Sequence, residues 1–304
     1  MTRKPKILVT GATGFIGRRL VDKLRAENYP VRCLSRRARA DLPEGVETTV
    51  ADLLEPESLT YCLNGIDTAY YLVHSLAEGA QAFAARDRAA AENFTAAAER
   101  SRVGRVIYLS GLGAHEDLSE HLRSRQEVGE ILRQGNFAVT ELRAAIIIGA
   151  GGSSFEILRF LVRTQPVIPD LPGLQTRCQP IAVDNVIDYL VGCLEAEATA
   201  GQSFDIGGPD ILSYREMLEH LARVAGQVNL YFPTPVFSAW LTSRLIGLLT
   251  PVDDEVALAL LRGLNNEVIC RDNRIRDLLP VPLIPYDRAV ALALEEIAGK
   301  NQGK

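Results

Sequence analysis

The sequence predicts an α/β fold in which a doubly wound parallel sheet carries a smaller carboxy-terminal lobe. Three observations support this: short β-branched runs alternate with longer amphipathic runs, a glycine triplet follows the first run, and the alternation decays beyond Arg143. Strand–helix–strand alternation requires crossover connections, which place helices on both faces of a parallel sheet. The expected strands are 6–10, 31–35, 47–51, 68–73, 105–110 and 138–143, followed later by 203–206.

Composition and charge exclude several classes of protein. With 304 residues, 47% hydrophobic and 23% charged, the chain is long enough to bury a large core. A net charge of -5 gives no general attraction to nucleic acid or anionic membranes. The five cysteines are scattered, odd in number and without a C-x-x-C pair, so we expect no disulfide framework, no metal site and a reducing cytoplasm.

We expect neither export nor stable membrane insertion. The first strand follows closely on the amino terminus, without the apolar stretch that a secretory signal needs. The most apolar later segment, 236–252, is interrupted by Arg244, is bounded by prolines and is short for a bilayer span. We interpret this segment as a helix that covers a cleft, with interfacial attachment as the alternative.

The glycine triplet Gly11-Ala-Thr-Gly14-Phe-Ile-Gly17 lies between the first strand and an amphipathic helix. In dinucleotide-binding proteins the first glycine permits a tight turn, the second lets the backbone approach a pyrophosphate, and the third lets the helix pack closely. The pyrophosphate then meets unpaired amides at the positive helix end. Glycine in an ordinary tight turn is the alternative. The predicted cofactor contacts in this loop are Gly11, Thr13, Gly14, Phe15, Ile16 and Gly17.

No repeat or flexible linker divides the chain, so we expect one Rossmann-type domain over 1–304. Residues 1–150 would mainly bind the dinucleotide, and residues 151–304 would mainly build the substrate side. Helices are expected at 183–194, 213–225 and 286–298, the last packing back on the domain through its apolar face.

The end of the second strand favours NADP(H). Sites that prefer NAD usually carry Asp or Glu there, about 20 residues after the glycines. This chain has Ser35, Arg36 and Arg37 instead, and guanidinium groups suit an additional phosphate. The alternative is a solvated basic loop that also includes Arg39.

The spacing G-x-x-G-x-x-G resembles that of the extended and atypical short-chain dehydrogenase/reductase superfamily. The resemblance extends to Asp52 and Leu53 after the third strand, where members set an acidic residue against adenine, and to Asn93 on a central helix. Val73 and His74 close the fourth strand, and the resemblance implies that they lie near the cofactor. Asp52 as a simple loop residue and Asn93 as a helix-surface residue are the alternatives.

The resemblance is greatest to atypical members, including relatives of NmrA-like regulators and predicted nucleoside-diphosphate-sugar epimerases. Residues 142–145 read Leu-Arg-Ala-Ala, which departs from the Leu-Arg-Pro of extended members. This departure weakens the case for sugar-nucleotide chemistry.

The superfamily's catalytic motif is altered. Members usually carry Tyr-x-x-x-Lys on a helix and a serine that orients the carbonyl group. Here Ser110 ends the fifth strand, and His121 and Arg125 stand where tyrosine and lysine are expected. An imidazole exchanges protons near neutral pH, so His121 is a candidate proton donor, with Arg125 favouring its neutral form. The alternative is a solvated helix start capped by Ser119.

Together, these observations predict an NADP(H)-dependent oxidoreductase that transfers hydride to a small carbonyl or enone substrate. A non-catalytic NADP(H)-sensing regulatory protein and a nucleotide-sugar epimerase or dehydratase are the alternatives. The expected partner is a small molecule, and nucleic acid is not expected.

Overall fold

The computed structural model describes residues 3–37, 42–73, 82–113, 120–233 and 266–302. The predicted segment 236–252, Arg39, His74 and Ser119 lie outside these ranges, and His121 is described only as part of a helix.

Parallel strands form the central layer and confirm the predicted α/β class. The main sheet has seven strands: β1 (Ile7–Val9), β2 (Val31–Ser35), β3 (Glu47–Val50), β4 (Thr68–Tyr71), β5 (Arg105–Gly111), β6 (Ala138–Ala144) and β11 (Ser203–Ile206). They stand in the order β11-β6-β5-β4-β1-β2-β3, and each adjacent pair is parallel. Six of them follow the order of doubly wound dinucleotide-binding sheets, and β11 extends the β6 edge.

Helices cover both faces of the sheet and surround the lobe. They are α1 (Phe15–Ala26), α2 (Pro56–Leu63), α3 (Ala82–Arg100), α4 (Glu120–Leu132), α5 (Ser153–Thr164), α6 (Val183–Glu195), α7 (Tyr214–Val224), α8 (Arg274–Leu278) and α9 (Tyr286–Gln302). Helices α1 and α6 pack together on one face, whereas α2, α3 and α4 pack on the other. The strands are apolar on both sides because both faces are covered, as the fully buried β1 shows.

The lobe is built from three small two-stranded sheets and its own core. The strands pair as β7 (Ile147–Ile148) with β10 (Ile181–Ala182), β9 (Arg177–Cys178) with β12 (Leu212–Ser213), and β8 (Val167–Asp170) with β13 (Leu230–Pro233). Phe155 on α5, Met217 on α7 and Val290 on α9 belong to one buried cluster in this lobe. That cluster also contains Ile148 on β7 and Ala182 on β10, so this strand pair packs into the core of the lobe.

Three buried polar side chains, on α6, on β11 and in the connection between β9 and β10, bind the chain at 268–284. Asn185 donates from Nδ2 to the Pro282 carbonyl oxygen (2.9 Å) and accepts from the Ile284 amide (2.8 Å). Asp205 Oδ2 accepts from the amides of Arg271 and Asp272, at 2.9 and 3.1 Å. Gln179 Oε1 accepts from the Cys270 amide, at 3.0 Å. Side-chain contacts therefore fix the position of this segment.

No helix among the described residues is long and apolar enough to cross a membrane.

Candidate cofactor and active site

The first and third glycines of the loop are required by the packing of the chain. Gly11 has φ +65°, and a Cβ atom there would lie 2.8 Å from the Leu72 carbonyl oxygen. A Cβ atom on Gly17 would lie 2.1 Å from the Gly11 carbonyl oxygen. Both contacts are with backbone, which cannot move as a flexible side chain would. A side chain at Gly17 would therefore push α1 away from the glycine loop, and one at Gly11 would displace the chain after β4.

Gly14 differs because its surroundings are open. It is solvent-exposed, and a Cβ atom on it would meet only the Gly11 carbonyl oxygen, at 3.2 Å. Gly14 is also the N-cap of α1, where no side chain caps the helix and no acidic residue lies in the first turn. The first amides of α1 and the positive end of its dipole thus face an open space next to a residue without a side chain. This arrangement fits the pyrophosphate of a dinucleotide.

Thr10 ends β1 and holds the neighbouring strand in place. Its hydroxyl donates to the Tyr70 carbonyl oxygen (3.0 Å) and accepts from the Leu72 amide (3.1 Å). The hydroxyl thus replaces ladder hydrogen bonds where β4 ends, two residues before the predicted end at Val73. Val73 is half-buried in the loop that follows.

Phe15 and Ile16 contact the protein interior as well as the glycine loop. Cβ atoms on Gly149 and Gly152 would each lie 3.0 Å from the Phe15 ring, so the ring packs on the glycine turn after β7. Arg19 lies over the other side of that ring and bonds the Ala150 carbonyl oxygen. Ile16 packs against the core beside α6. The structure places Thr13 at this loop, where its carbonyl oxygen accepts from Arg18 Nε at 3.2 Å.

The end of β2 presents basic side chains. Ser35 is buried, and its hydroxyl donates to the Arg37 carbonyl oxygen at 2.7 Å and accepts from the Arg37 amide at 3.3 Å. This turn leaves the side chains of Arg36 and Arg37 exposed at the edge of the sheet where β1 also ends. A carboxylate for ribose hydroxyls is absent from β2 and from these two residues.

Asn93 positions the loop after β3. Its Nδ2 atom donates to the Leu53 carbonyl oxygen at 2.9 Å. Asp52 Oδ1 accepts from the Leu54 amide at 2.9 Å and closes a local turn, while Leu53 is buried. The asparagine therefore spans from α3 to this loop and does not simply lie on a helix surface.

Ser110 lies at the carboxyl edge of the sheet with an unsatisfied hydroxyl. Only 2% of Ser110 is exposed, and its Oγ atom has no well-formed hydrogen bond among the described residues. The nearby Tyr108 phenol donates instead to the Arg125 carbonyl oxygen, at 2.8 Å. Burial raises the pKa of this phenol above its usual range, so Tyr108 is not a ready proton donor. A buried hydroxyl without a partner is costly unless another group supplies one.

Helix α4 brings two further predicted residues to this end of β5. Arg125 donates from its guanidinium to the Leu109 carbonyl oxygen, and its Nε atom is buried without a partner among the described residues. A Cβ atom on Gly111 would lie 2.6 Å from Leu122, so α4 sits directly against the strand end. His121 belongs to α4 one turn before Arg125. The structure thus groups Ser110 and Arg125 on the adjoining elements β5 and α4, and His121 belongs to the first turn of α4.

Two charged residues at the same edge were missed by sequence reasoning. Arg143 on β6 lies in register with Ser110 on β5 and with Asp205 on β11. Arg143 Nη2 and Asp205 Oδ1 form an ion pair at 2.8 Å, with the carboxylate almost fully buried. The available signal was a charged residue near the end of each of two apolar strands.

Among the described residues, no cluster of His, Cys, Asp and Glu is suited to a metal ion.

The sequence model of a family described as NAD(P)H-binding matches residues 11–159, which span the glycine loop, Ser110 and α4. Over these residues the chain is similar to NAD(P)H-binding proteins. That description agrees with the open helix end at Gly14. Relatives at low identity include both reductases and epimerases.

Two curated relatives differ in the roles that their names give. The NAD(P)H azoreductase of Xenophilus azovorans is 26% identical over 73% of this chain and 74% of its own length. The photosystem II assembly factor Ycf39 of Trieres chinensis is 24% identical over 86% of this chain and 83% of its own length. Among solved structures, the Citrobacter sp. triphenylmethane reductase complexed with NADP(H) superposes with a TM-score of 0.76 at 19% identity. That match covers 95% of this chain and 99% of the reductase, and it shows a shared fold.

Proposed function

We propose that this protein is an NADP(H)-dependent oxidoreductase that reduces a small carbonyl or enone compound. The observation that carries the proposal is the buried, unpartnered hydroxyl of Ser110 at the sheet edge that also carries the glycine loop. Strands β5 and β1 are separated only by β4, so their ends lie about 10 Å apart at the usual strand spacing. That separation suits a dinucleotide whose pyrophosphate lies at Gly14 and whose nicotinamide lies near Ser110.

In this proposal, the residues of this chain would have the following roles in binding and catalysis. The glycine loop and the first turn of α1 would bind the pyrophosphate, and Arg36 and Arg37 would bind the additional phosphate. Bound NADPH supplies a hydride from its nicotinamide ring. Ser110 would orient the substrate carbonyl through a hydrogen bond. His121 would donate the proton that balances the hydride, because an imidazole holds an exchangeable proton near neutral pH.

Two further features belong to this proposal. The part of the chain after residue 150 would form the substrate-binding side of the site. It leaves the sheet at the carboxyl end of β6, which is the edge where the cofactor would bind. All five cysteines are free thiols, which fits a reducing cytoplasm.

The preference for NADPH over NADH tests the cofactor assignment without any substrate. Two exposed guanidinium groups would add charge-assisted hydrogen bonds to the extra phosphate, so we expect NADPH to bind at least tenfold more tightly in calorimetric titrations. Arg36→Ala/Arg37→Ala should weaken NADPH strongly and NADH little. Rising salt should also reduce the preference, because exposed charges are screened.

The matched control for this pair is Arg3→Ala/Arg100→Ala, which removes two exposed arginines near the opposite edge of the sheet. It should leave both affinities unchanged. Equal wild-type affinities for NADPH and NADH would show that Arg36 and Arg37 do not contact the cofactor.

Turnover is tested by following NADPH absorbance in a stopped-flow instrument with a panel of aldehydes, quinones and enones. We expect at least one class to be reduced, with a rate that changes over roughly pH 5 to 8 as an imidazole titrates. Ser110→Ala and His121→Ala should each lower the rate by roughly 10²-fold or more, without loss of NADPH binding. A His121→Ala protein that reduces every substrate at the wild-type rate would move the proton donor elsewhere, with Ser110 or a water molecule next in line.

A second candidate function is NADP(H) binding without turnover. Arg125, at the position of the superfamily's lysine, uses its guanidinium to hold the Leu109 carbonyl oxygen, and a relative covering most of this chain is named an assembly factor. Tight NADPH binding with no oxidation by any member of the substrate panel would favour this candidate over the reductase.

A further inference from the structure

The carboxyl edge of the sheet carries a row of polar side chains, of which the proposed reduction uses only Ser110. Ser110, Arg143 and Asp205 are register partners on the adjacent strands β5, β6 and β11. Register partners on parallel strands project to the same face and lie about 4.8 Å apart. Arg143 therefore stands between the hydroxyl of Ser110 and the carboxylate of Asp205.

Unsatisfied polar atoms concentrate at this row. Of the seven buried side-chain atoms that lack a hydrogen bond among the described residues, three belong to the row, namely Ser110 Oγ, Arg143 Nε and Asp205 Oδ1, and a fourth, Arg125 Nε, lies beside the end of β5 on α4. Asp205 Oδ1 still lies 2.8 Å from Arg143 Nη2 as an ion pair. Buried polar groups are normally paired, so the three unpaired donors Ser110 Oγ, Arg125 Nε and Arg143 Nε indicate an acceptor that the described residues do not supply.

The charge of the row is positive. Arg125 and Arg143 contribute two guanidinium groups, and Asp205 contributes one carboxylate. The Asp205 carboxylate is further stabilised by the amides of Arg271 and Asp272, so its charge is shared among three donors. About a third of the Arg143 side chain is exposed, at 31%, whereas the carboxylate beneath it is 4% exposed. Asp205 thus holds a guanidinium whose remaining N–H groups can reach a ligand.

We propose that Arg143 binds a carboxylate of the substrate, and that the substrate is therefore a carbonyl compound carrying one carboxylate. This inference rests on the proposed reductase function, because Ser110 would orient the carbonyl while its neighbour in the row binds the anion. A guanidinium offers paired N–H donors that match a carboxylate. Asp205 acts as a positioning residue that holds Arg143 at the edge of the sheet.

The test compares 4-carboxybenzaldehyde with benzaldehyde as substrates in the presence of NADPH. We expect the wild-type protein to prefer the carboxylated aldehyde by tenfold or more in kcat/KM, mainly through KM. Arg143→Gln should abolish this preference, and Arg143→Lys should keep only part of it because the paired donors are lost. NADPH affinity should be unchanged in both variants.

Two further variants separate binding from folding. Arg143→Gln leaves the buried Asp205 without its cation, so Arg143→Gln/Asp205→Asn provides a neutral pair of similar volume and should also lose the preference. Arg274→Gln is the matched control: it removes an arginine that is 61% exposed near β11 and pairs with Asp272. This control should retain the wild-type preference.

Benzoate titration of the NADP⁺-saturated protein, followed by calorimetry, provides a readout that needs no turnover. Benzoate binding by the wild-type protein that is lost in Arg143→Gln supports the carboxylate site, whether or not either aldehyde is reduced. Failure to reduce both aldehydes counts against the reductase function and not against the carboxylate site. Reduction of both aldehydes at equal kcat/KM leaves the reductase standing and overturns the carboxylate site. Absence of benzoate binding by the wild-type protein, or equal binding by Arg143→Gln, overturns it as well.

Discussion

Single glycines in the cofactor loop have separable tasks. A Cβ atom at Gly17 would overlap a backbone oxygen, whereas one at Gly14 would have a single contact with the protein. The same residue type therefore serves chain packing at one position and leaves room for a ligand at the other. The sequence motif alone treats these glycines as one pattern.

This difference predicts opposite outcomes for two substitutions. Gly14→Val should keep the wild-type unfolding temperature within a few degrees and abolish NADPH binding, because the branched side chain fills the space next to the first amides of α1. Gly17→Val should lower the free energy of unfolding by about 1–3 kcal/mol or more, since α1 must shift. Thermal unfolding and calorimetric titration of both variants measure the two effects. Undiminished NADPH affinity in a folded Gly14→Val protein would remove the cofactor from this loop.

At the level of single residues, the sequence predicted those whose role is local. Ser35, Arg36 and Arg37 lie where the strand pattern placed them, and their turn depends on neighbours within two residues. The pairing of Arg143 with Asp205 joins strands about sixty positions apart in the chain, and the register that brings them together depends on the whole sheet. Periodicity within one strand carries no information on that register.

Helices and strands differ in how well their ends could be predicted. Strands β2 and β11 have the predicted bounds, whereas β4 stops early because Thr10 replaces its ladder bonds. Helix α5 was not predicted, although Phe155, Leu158 and Val162 show helical spacing. Segment 166–172 was not predicted to contain a strand, and it carries three prolines. It contains β8, which pairs with β13 more than sixty residues later, and such pairing is not visible in local sequence.

The hydrogen bonds that join Asn185 on α6 to the chain at 282–284 should make a measurable contribution to the free energy of unfolding. Asn185 is 1% exposed and bonds two backbone groups, so Asn185→Ala would leave a carbonyl and an amide buried without partners. We expect a loss of about 1–3 kcal/mol in the free energy of unfolding by urea. Asn185→Asp keeps the acceptor for the Ile284 amide but places a buried carboxylate oxygen against the Pro282 carbonyl oxygen, so it should lose at least as much.

The exposed neighbour provides the control for these hydrogen bonds. Asp184→Ala changes the first turn of the same helix without touching the 282–284 segment, and its effect should stay below about 1 kcal/mol. If Asn185→Ala destabilised the protein no more than Asp184→Ala, the hydrogen bonds of Asn185 would contribute nothing to holding this segment.

Over the whole molecule, we expect burial to keep the thiols unreactive. Desolvation raises the pKa of Cys33, Cys178 and Cys270 to about 12 and that of Cys193 to about 11, and burial also raises the pKa of Cys62. The thiolate is the reactive form, and raised pKa values keep it scarce at pH 8.

An aromatic disulfide reagent that reports free thiols tests this prediction. At pH 8 the native protein should react at no more than one position, with the half-buried Cys270 as the site, and the protein in strong denaturant should react at all five. Because each pKa is raised, native reactivity should increase only as the pH rises towards these values. Rapid reaction of several thiols in the native protein at pH 8 would contradict the close packing of both sheet faces.

The strand order also governs the sequence of events during synthesis. Strand β1 lies between β2 and β4, so the oldest strand cannot be flanked on both sides until residue 71 has left the ribosome. The β6 edge waits for β11 at residue 206, and the polar clamps at 268–284 follow later still. At roughly 5–20 residues per second, about ten to fifty seconds separate the first strand pairs from the last clamps. Between the synthesis of β6 and that of β11, the growing sheet presents the unpaired backbone edge of β6 to the cell, and a chaperone that binds extended segments would find its target there.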